Sequence, residues 1–408
     1  MKKPRILASI FKRKVSGADG EVQNPYFEEI SARLGTLQVV LYLCLFAFIT
    51  VSFISNSELI TYQNFYHFFQ DLNASVLSGE VFSEEALTYP TDRQQDFSLY
   101  RGGLVVAGNR NLTVFSSSNK QSVSENLDNY QNPAVEGTGK YVLIYELGGT
   151  RYSLYNLHQQ MHTGKTDFPI TGAAVSESGS FALISASEQY TSVVSLYNDR
   201  FSLINRYNKN GYVMDVDVNK KGTLISILTS EVEQGQYRTS LEIYRVGETE
   251  ARTVVPLSRS VGLDCSFSTQ STVIALCADG VFFIDEQGIQ RASLDFGDTP
   301  LAAYDVGEHG IAVALQASPL LPKDLLIFFD ADGKLIYRIE SGVRISQLEI
   351  YGDSVFALSS DSILRFSKKG EIAFAWSGMT ADREMLAIDE DEILLCSPQR
   401  AIYLRMSS

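Results

Sequence analysis

Two textures of hydrophobic patterning divide the chain. Leu37 to Ile54 reads LQVVLYLCLFAFITVSFI, eighteen uncharged residues in which only Gln38, Thr50 and Ser52 are polar. As a helix this stretch reaches about 27 Å, close to the thickness of a bilayer core, and it predicts a transmembrane helix over 37–54. From about Phe97 onward the pattern changes to short apolar runs rich in Val, Ile, Tyr and Phe, separated by Gly, Asp, Asn and Ser. Helical periodicity is almost absent there, and such runs predict strands.

The strands repeat. AAVSESGSFALIS (173–185), VDVNKKGTLISIL (216–228), YDVGEHGIAVAL (304–315) and LEIYGDSVFALS (348–359) each read as strand, Gly-containing turn, strand. A second hairpin recurs in IDEQGIQRASL (284–294), FDADGKLIYRI (329–339) and FSKKGEIAFAW (366–376), with Gly supplying the positive φ of a tight turn. Combined, the two units give four strands, with starts near residues 97, 133, 170, 212, 261, 300, 344 and 382. The mean spacing of about 41 residues suits propeller blades. The predicted fold is therefore all-β: a β-propeller of eight four-stranded blades, with seven as the alternative, preceded by one transmembrane α-helix. A β-solenoid fits the hairpins less well, and two sandwiches would not produce a regular period. The last unit, 382–408, has room for three strands, so Ala86–Pro90 is expected to supply the missing outer strand and close the ring.

Charge then gives the chain a direction. The 408 residues carry a formal charge of −14, from 34 basic and 48 acidic side chains. Residues 1–36 hold seven basic and four acidic residues, and no Lys or Arg follows Arg33 until Arg93. The positive-inside rule predicts a single-pass plasma-membrane protein, with the N-terminus cytoplasmic and the C-terminal domain outside. A cleaved signal peptide, cut near Ser55-Asn56-Ser57, is the competing reading; the long polar tail and spanning length favour an uncleaved anchor. The expected organisation is a basic tail over 1–36, the span over 37–54, a juxtamembrane helix or linker over 55–85, and the propeller over 86–408. In the tail, Lys12-Arg13-Lys14 suits anionic headgroups, and Asn24-Pro25 followed by Glu28 and Glu29 marks a helix start. Tyr62, Phe65, Tyr66, Phe68 and Phe69 suit an interfacial collar. The acidic balance argues against a nucleic-acid partner. Four Cys, four His and one Trp exclude a disulfide-stapled scaffold or a zinc-rich module.

Chemistry was sought on the expected channel wall and in the loops. Asp215, Asp217 and Asn219 alternate along one predicted innermost strand and could offer oxygen ligands to Ca²⁺; a solvated wall is the plainer reading. Asp215, Asp217 and Asp305 are the carboxylate candidates for a channel site. Asp330 and Asp332 before Gly333 resemble half of a Ca²⁺ loop, but hairpin chemistry explains them. His158 and His162 lie in a strand-and-turn context where their spacing does not converge on a metal, and His309 sits in a Gly-flanked turn. Cys265 and Cys277 are not expected to be cross-strand partners, because Cys277 should face residue 262; with Cys396 they read as buried free thiols, and Cys44 lies in the span. Asn73 and Asn111 match glycosylation acceptors, relevant only in a eukaryotic secretory pathway. No nucleophile elbow, phosphate loop or zinc-protease motif occurs. No catalytic, cofactor-binding or metal-binding residue is assigned, and no cofactor is expected.

The basic tail, the span, and lines such as GKYVLIYELGGTRYSLYN (139–156), AAVSESGSFALISASEQYTSVVSLYN (173–198) and FDADGKLIYRI (329–339) resemble a Gram-positive bacterial family of single-span, membrane-anchored β-propeller proteins, a domain of unknown function. The resemblance covers nearly the whole chain and implies that these segments are successive blades; the family has no established catalytic residues to carry over. DADGKLIYRI is distantly similar to the blade motif of quinoprotein dehydrogenases, but the tryptophan-rich pattern is missing and Trp376 stands alone. WD-repeat propellers are excluded as close kin because no regular Trp-Asp ending occurs.

Two functions follow from this reading. The first is a non-enzymatic scaffold at the cell envelope, binding a protein or small ligand through propeller loops, with Glu231–Arg238 and Gln316–Lys323 (containing Leu320 and Leu321) as the longest insertions. The second is an envelope enzyme, hydrolase or oxidoreductase, with a site in the channel at Asp215, Asp217 and Asp305. Those carboxylates clustered in a deep pocket with a vacant coordination site would favour the second, and a channel lined by scattered polar residues would sink it.

Overall fold

Among the described residues the apolar runs form thirty-two strands, β1 to β32 in chain order, in eight antiparallel four-stranded sheets. The computed structural model describes residues 40–44, 86–127, 130–156, 159–269, 271–316, 318, 323–377 and 384–406. Each sheet is a blade, with strands A to D counted outward from the ring axis. The A strands are β2 (Gln95–Tyr100), β6 (Pro133–Gly137), β10 (Ile170–Val175), β14 (Tyr212–Val218), β18 (Gly262–Phe267), β22 (Leu301–Gly307), β26 (Gln347–Tyr351) and β30 (Glu384–Asp389). Each touches the A strand of the next blade, and β30 touches β2, so the ring is closed with eight blades.

Closure is by the predicted route. In the eighth sheet β1 (Leu87–Thr88) pairs with β32 (Arg400–Arg405), Leu87 opposite Ala401 and Thr88 opposite Arg400. The Tyr89 hydroxyl donates to the Ser397 carbonyl at 2.6 Å and its N–H to the Gln399 carbonyl at 3.3 Å. The first segment of the domain thus completes the last blade.

The B strands explain the apolar runs. In β11 (Phe181–Ser185), Phe181 and Leu183 pack toward blade 2, while Ala182 and Ile184 pack toward blade 4. In β7 (Val142–Glu146), Val142 and Ile144 serve one core, Leu143 and Tyr145 the next. Alternate side chains of a strand point to opposite faces, so a strand between two blades must be apolar at every position. One hydrophobic core lies at each of the eight blade interfaces. The C–D hairpins follow the predicted turns: Asp330 Oδ1 accepts the N–H groups of Asp332 (3.1 Å) and Lys334 (2.9 Å), and Gly333 has φ 82°. Asp330 is a turn residue.

The alternation of strand direction gives the ring two faces. A–B and C–D turns share one, here called proximal; B–C and D–A connections share the other, the distal face. Because β1 runs antiparallel to β32, the chain enters the propeller at the proximal face, where Met406 N–H also bonds the Asp391 carbonyl in the last A–B turn (2.6 Å).

Of the predicted span, residues 40–44 lie among those described; they are helical, and Val40, Leu41, Tyr42 and Leu43 are exposed. Among the described residues no helix is long and apolar enough to cross a membrane. The tail and the aromatic collar fall outside the described residues.

Candidate functional site

Carboxylates line the inside of the ring. Seven of the eight A strands supply at least one: Asp96, Glu136, Asp215 with Asp217, Asp264, Asp305, Glu349 and Glu384. Only β10, whose sequence is ITGAAV, has none. Several reach across to the following blade and accept an N–H from its A strand. Val135 N–H donates to Asp96 Oδ2 (2.8 Å), Cys265 N–H to Asp215 Oδ2 (2.9 Å), Phe267 N–H to Asp217 Oδ2 (2.8 Å) and Ile350 N–H to Asp305 Oδ2 (2.6 Å). Ala387 N–H donates to Glu349 Oε2 at 3.3 Å, and Gln347 does the same work with a neutral amide, accepting from Met385 N–H at 2.9 Å. An innermost strand has no neighbour on its channel side, so its N–H groups need such acceptors. The acids therefore stitch blade to blade.

Their electrostatics is one-sided. Burial pushes all of these carboxyls above their ordinary range, and the strongest charges acting on them are each other's. Asp217 rises to about 6, Asp305 and Glu384 to about 7, and Glu136 to about 8. Repulsion links them around the ring: Glu136 feels Asp96 and Asp264, Asp305 feels Asp264, Glu349 feels Asp305, and Glu384 feels Asp96. Asp264 hydrogen-bonds with Asp215 and with Tyr304. Burial raises both carboxyls; the Asp264 charge adds to the rise of Asp215, while the hydrogen bond with Asp215 partly offsets the rise of Asp264. Backbone N–H donors pull the other way and do not overcome desolvation. The channel therefore holds protons near neutral pH.

At the proximal face the channel opens into a cavity of about 700 Å³, lined by Glu136, Asp215, Asp217, Asp264 and the A–B turns. Lys220, from the turn of blade 4, contacts Glu308 of blade 6 and lies 3.6 Å from Glu177 of blade 3, so one ammonium group ties the turns of three blades at the mouth. His309 stands beside Tyr351, with ring centres 5.1 Å apart, and burial lowers its pKa, with Lys220 adding to the effect. Among the described residues no group of three or more His, Cys, Asp or Glu side chains is arranged to hold a metal ion.

The structure brings Asp215 and Asp217 together as read from the sequence and places Asp305 in the same ring. Asn219 departs from the expected line: it lies past the end of β14, buried, with its side-chain oxygen accepting Thr223 and Leu224 N–H groups (2.8 and 3.1 Å), and so braces a turn. Asp215 and Asp217 stand half-buried on the cavity wall, where burial still raises their carboxyls. His162 stacks on Phe201 at 5.3 Å on an outer strand, while His158 lies outside the described residues. Cys265, Cys277 and Cys396 are buried and free, with Cys277 opposite Gly262. Asp96, Glu136, Asp264, Glu349 and Glu384 were missed. Part of the signal was present: in the aligned repeat lines, Asp217, Asp305 and Glu349 occupy one column, and Ala174 takes that place in blade 3.

The Glu231–Arg238 insertion is a continuation of the blade. Strands β15 (Leu224–Glu233) and β16 (Gln236–Arg245) pair without a break to Glu233 opposite Gln236, across a turn at Gln234 (φ 52°) and Gly235 (φ 79°). Positive φ at both turn positions matches the twist of a two-residue hairpin. All eight residues from 231 to 238 are exposed. Gln316–Lys323 is likewise a B–C connection, largely outside the described residues, so both insertions belong to the distal face.

The chain belongs to a family of unknown function, DUF5711, whose sequence profile matches residues 81–402. No curated protein matches the sequence. Among solved structures, the chain is similar to the computationally designed Ika8 protein, with TM-score 0.54 and 10% identity over 79% of this chain and 100% of that one. Sqt1 of Chaetomium thermophilum, bound to the N-terminus of ribosomal protein L10, gives TM-score 0.53 and 12% identity over 79% and 100%. A eukaryotic initiation factor gives 0.51 and 12% over 81% and 90%. At such identities these likenesses establish the fold alone.

Proposed function

We propose that this member of the DUF5711 family is a membrane-anchored, extracytoplasmic scaffold that binds a protein or ligand at the cell envelope without transforming it. The anchor is the apolar stretch 37–54, in a plasma membrane, with the basic tail on the cytoplasmic side and the propeller outside. The uncharged run, the seven basic residues before it and the absence of any Lys or Arg between it and Arg93 support that topology.

The observation that carries the binding reading is the division of labour between the two faces. The channel carboxylates, the natural place for acid–base chemistry, accept N–H groups that hold neighbouring blades together. The longest insertions, by contrast, are B–C connections, away from the face where the chain enters. A stiff ring presenting distinctive loops is suited to recognition. Sqt1, of the same fold, is seen with a polypeptide bound, which supports a protein ligand without identifying one.

Photo-crosslinking in native membranes tests this. With the crosslinker at Val232 on the distal hairpin, a discrete protein adduct is expected; the same group at His309 on the proximal rim should give less. Absence of a protein adduct from either position would overturn the protein-binding reading. For topology, protease added to intact protoplasts should remove a C-terminal tag and spare an N-terminal one; the reverse pattern would refute the orientation.

A further inference from the structure

The blade-4 hairpin has an unusual ladder. Against β16, strand β17 (Thr253–Ser258) pairs only from Thr239 onward, where Thr239 faces Ser258. Residues 236–238 therefore have no ladder partner on that side, although they are extended and paired with β15 on the other. Open backbone edges recruit strands unless blocked. The neighbouring outer strand is blocked by Pro256, which removes a donor; the 236–238 edge has no proline.

Side chains there are sorted by face. Glu231 lies opposite Arg238 and Glu233 opposite Gln236, so these four share one face; Val232 opposite Tyr237 forms the other, 61% and 48% exposed. Beside the hairpin is a groove of about 1020 Å³ reaching blade 5, with Val254, Pro256 and Leu257 on one side and Asp279 and Asp295 on the other. Glu233 is neutralised by Arg238 at 2.6 Å. Glu231, Asp279 and Asp295 remain against Arg259 alone, so the groove carries an excess of negative charge.

We propose that the Gln236–Arg238 edge and this groove form a docking site for an extended, basic segment of a partner polypeptide, which adds as a strand in line with β17. The two hairpin faces specify its pattern: basic side chains alternating with apolar ones, the former toward Glu231 and the groove acids, the latter toward Val232 and Tyr237. This is strand addition, in which main-chain bonds give affinity and alternate side chains give selectivity. The inference rests on the scaffold reading and narrows it.

The test uses the full chain in zwitterionic detergent and a fluorescent ten-residue peptide alternating lysine with valine or threonine. Anisotropy should report saturable binding that weakens steeply with salt, and amides of residues 236–238 should gain protection from hydrogen exchange. A glutamate–valine peptide should not bind. A lysine peptide N-methylated at alternate residues, which keeps its charge but loses ladder donors, should bind at least tenfold more weakly. The pair Glu231→Lys with Asp295→Lys should also cost at least tenfold, with thermal unfolding lowered only by loss of the Gly297 N–H bond to Asp295 Oδ1; Asp295→Ser, which can keep that contact, is the matched control and should bind more tightly than the pair. Unaltered binding after N-methylation, or in the charge-reversed chain, would overturn the site, as would no binding at all. Those failures leave the scaffold reading standing if a crosslinked partner maps elsewhere on the propeller; absence of a crosslinked protein overturns that reading itself.

Discussion

The channel wall and the blade-4 hairpin are both strands rich in acid, and they use it in opposite ways. On β14, Asp215 and Asp217 are half-buried on the channel wall and receive N–H groups from Cys265 and Phe267 of the next blade. On the hairpin, Glu231 and Glu233 face solvent, and the nearby backbone edge has no partner. The same residue type is a structural acceptor in one place and recognition surface in the other. What separates them is whether the surrounding fold supplies unsatisfied donors. Acid content alone does not mark the working part of this protein.

This contrast can be broken by pH, where the largest effect is expected. The channel carboxyls have folded pKa values raised above those of the unfolded chain, so their contribution is fully present below about pH 4 and is lost progressively as pH rises from there to the folded values, about 6 to about 8. Each group titrating in that window removes up to about 1.4 kcal/mol of stability per pH unit. Glu146 and Asp285 are shifted down, Glu146 by Arg151 and Asp285 by the Ile289 N–H and then Arg291, so their contribution is lost on acidification below about pH 4. Thermal unfolding should therefore be highest near about pH 4 and clearly lower at pH 8. A flat profile between those values would remove the buried-acid account.

Next in size is Asp217→Ala. It leaves Phe267 N–H and the Ser266 hydroxyl without their acceptor, and should cost about 1–3 kcal/mol in urea unfolding. Asp305→Asn separates charge from hydrogen bonding, since the amide oxygen can still accept from Ile350 while repulsion from Asp264 disappears. It should stabilise by roughly 1 kcal/mol or more at pH 8 and by less at pH 5. The smallest effect belongs to the hairpin: Tyr237→Ala should change stability by less than about 0.5 kcal/mol, because the side chain has no core to leave.

Much of the architecture was legible because it is dictated by patterns of two. The stretches FALI (181–184) and VIALC (273–277) are apolar throughout because each B strand feeds two cores, and the count of three strands in the last unit called for β1. The acid ring was harder to see. Register shifts between Val213 and Asp215, Gly262 and Asp264, Leu301 and Ala303, and Ala387 and Asp389 change which side chains face the channel partway along the strand. A bulge of this kind changes the phase of a period-two reading without changing composition. The hairpin was read as a loop for a different reason: EVEQGQYR has the polarity of a loop, but solvent on both faces gives an exposed ladder the same polarity. Burial, which makes a strand recognisable, is absent there.

The join between β1 and β32 has a mechanical consequence. The polypeptide arrives from the proximal face and runs antiparallel to its partner, so tension drawn along the preceding chain, away from that face, acts along the strand axis. The Leu87–Ala401 and Thr88–Arg400 pairings, with the Tyr89 contacts behind them, are then loaded side by side in shear. A pull on a tether would meet them all at once, and the ring would resist opening in the direction from which its own chain tugs on it.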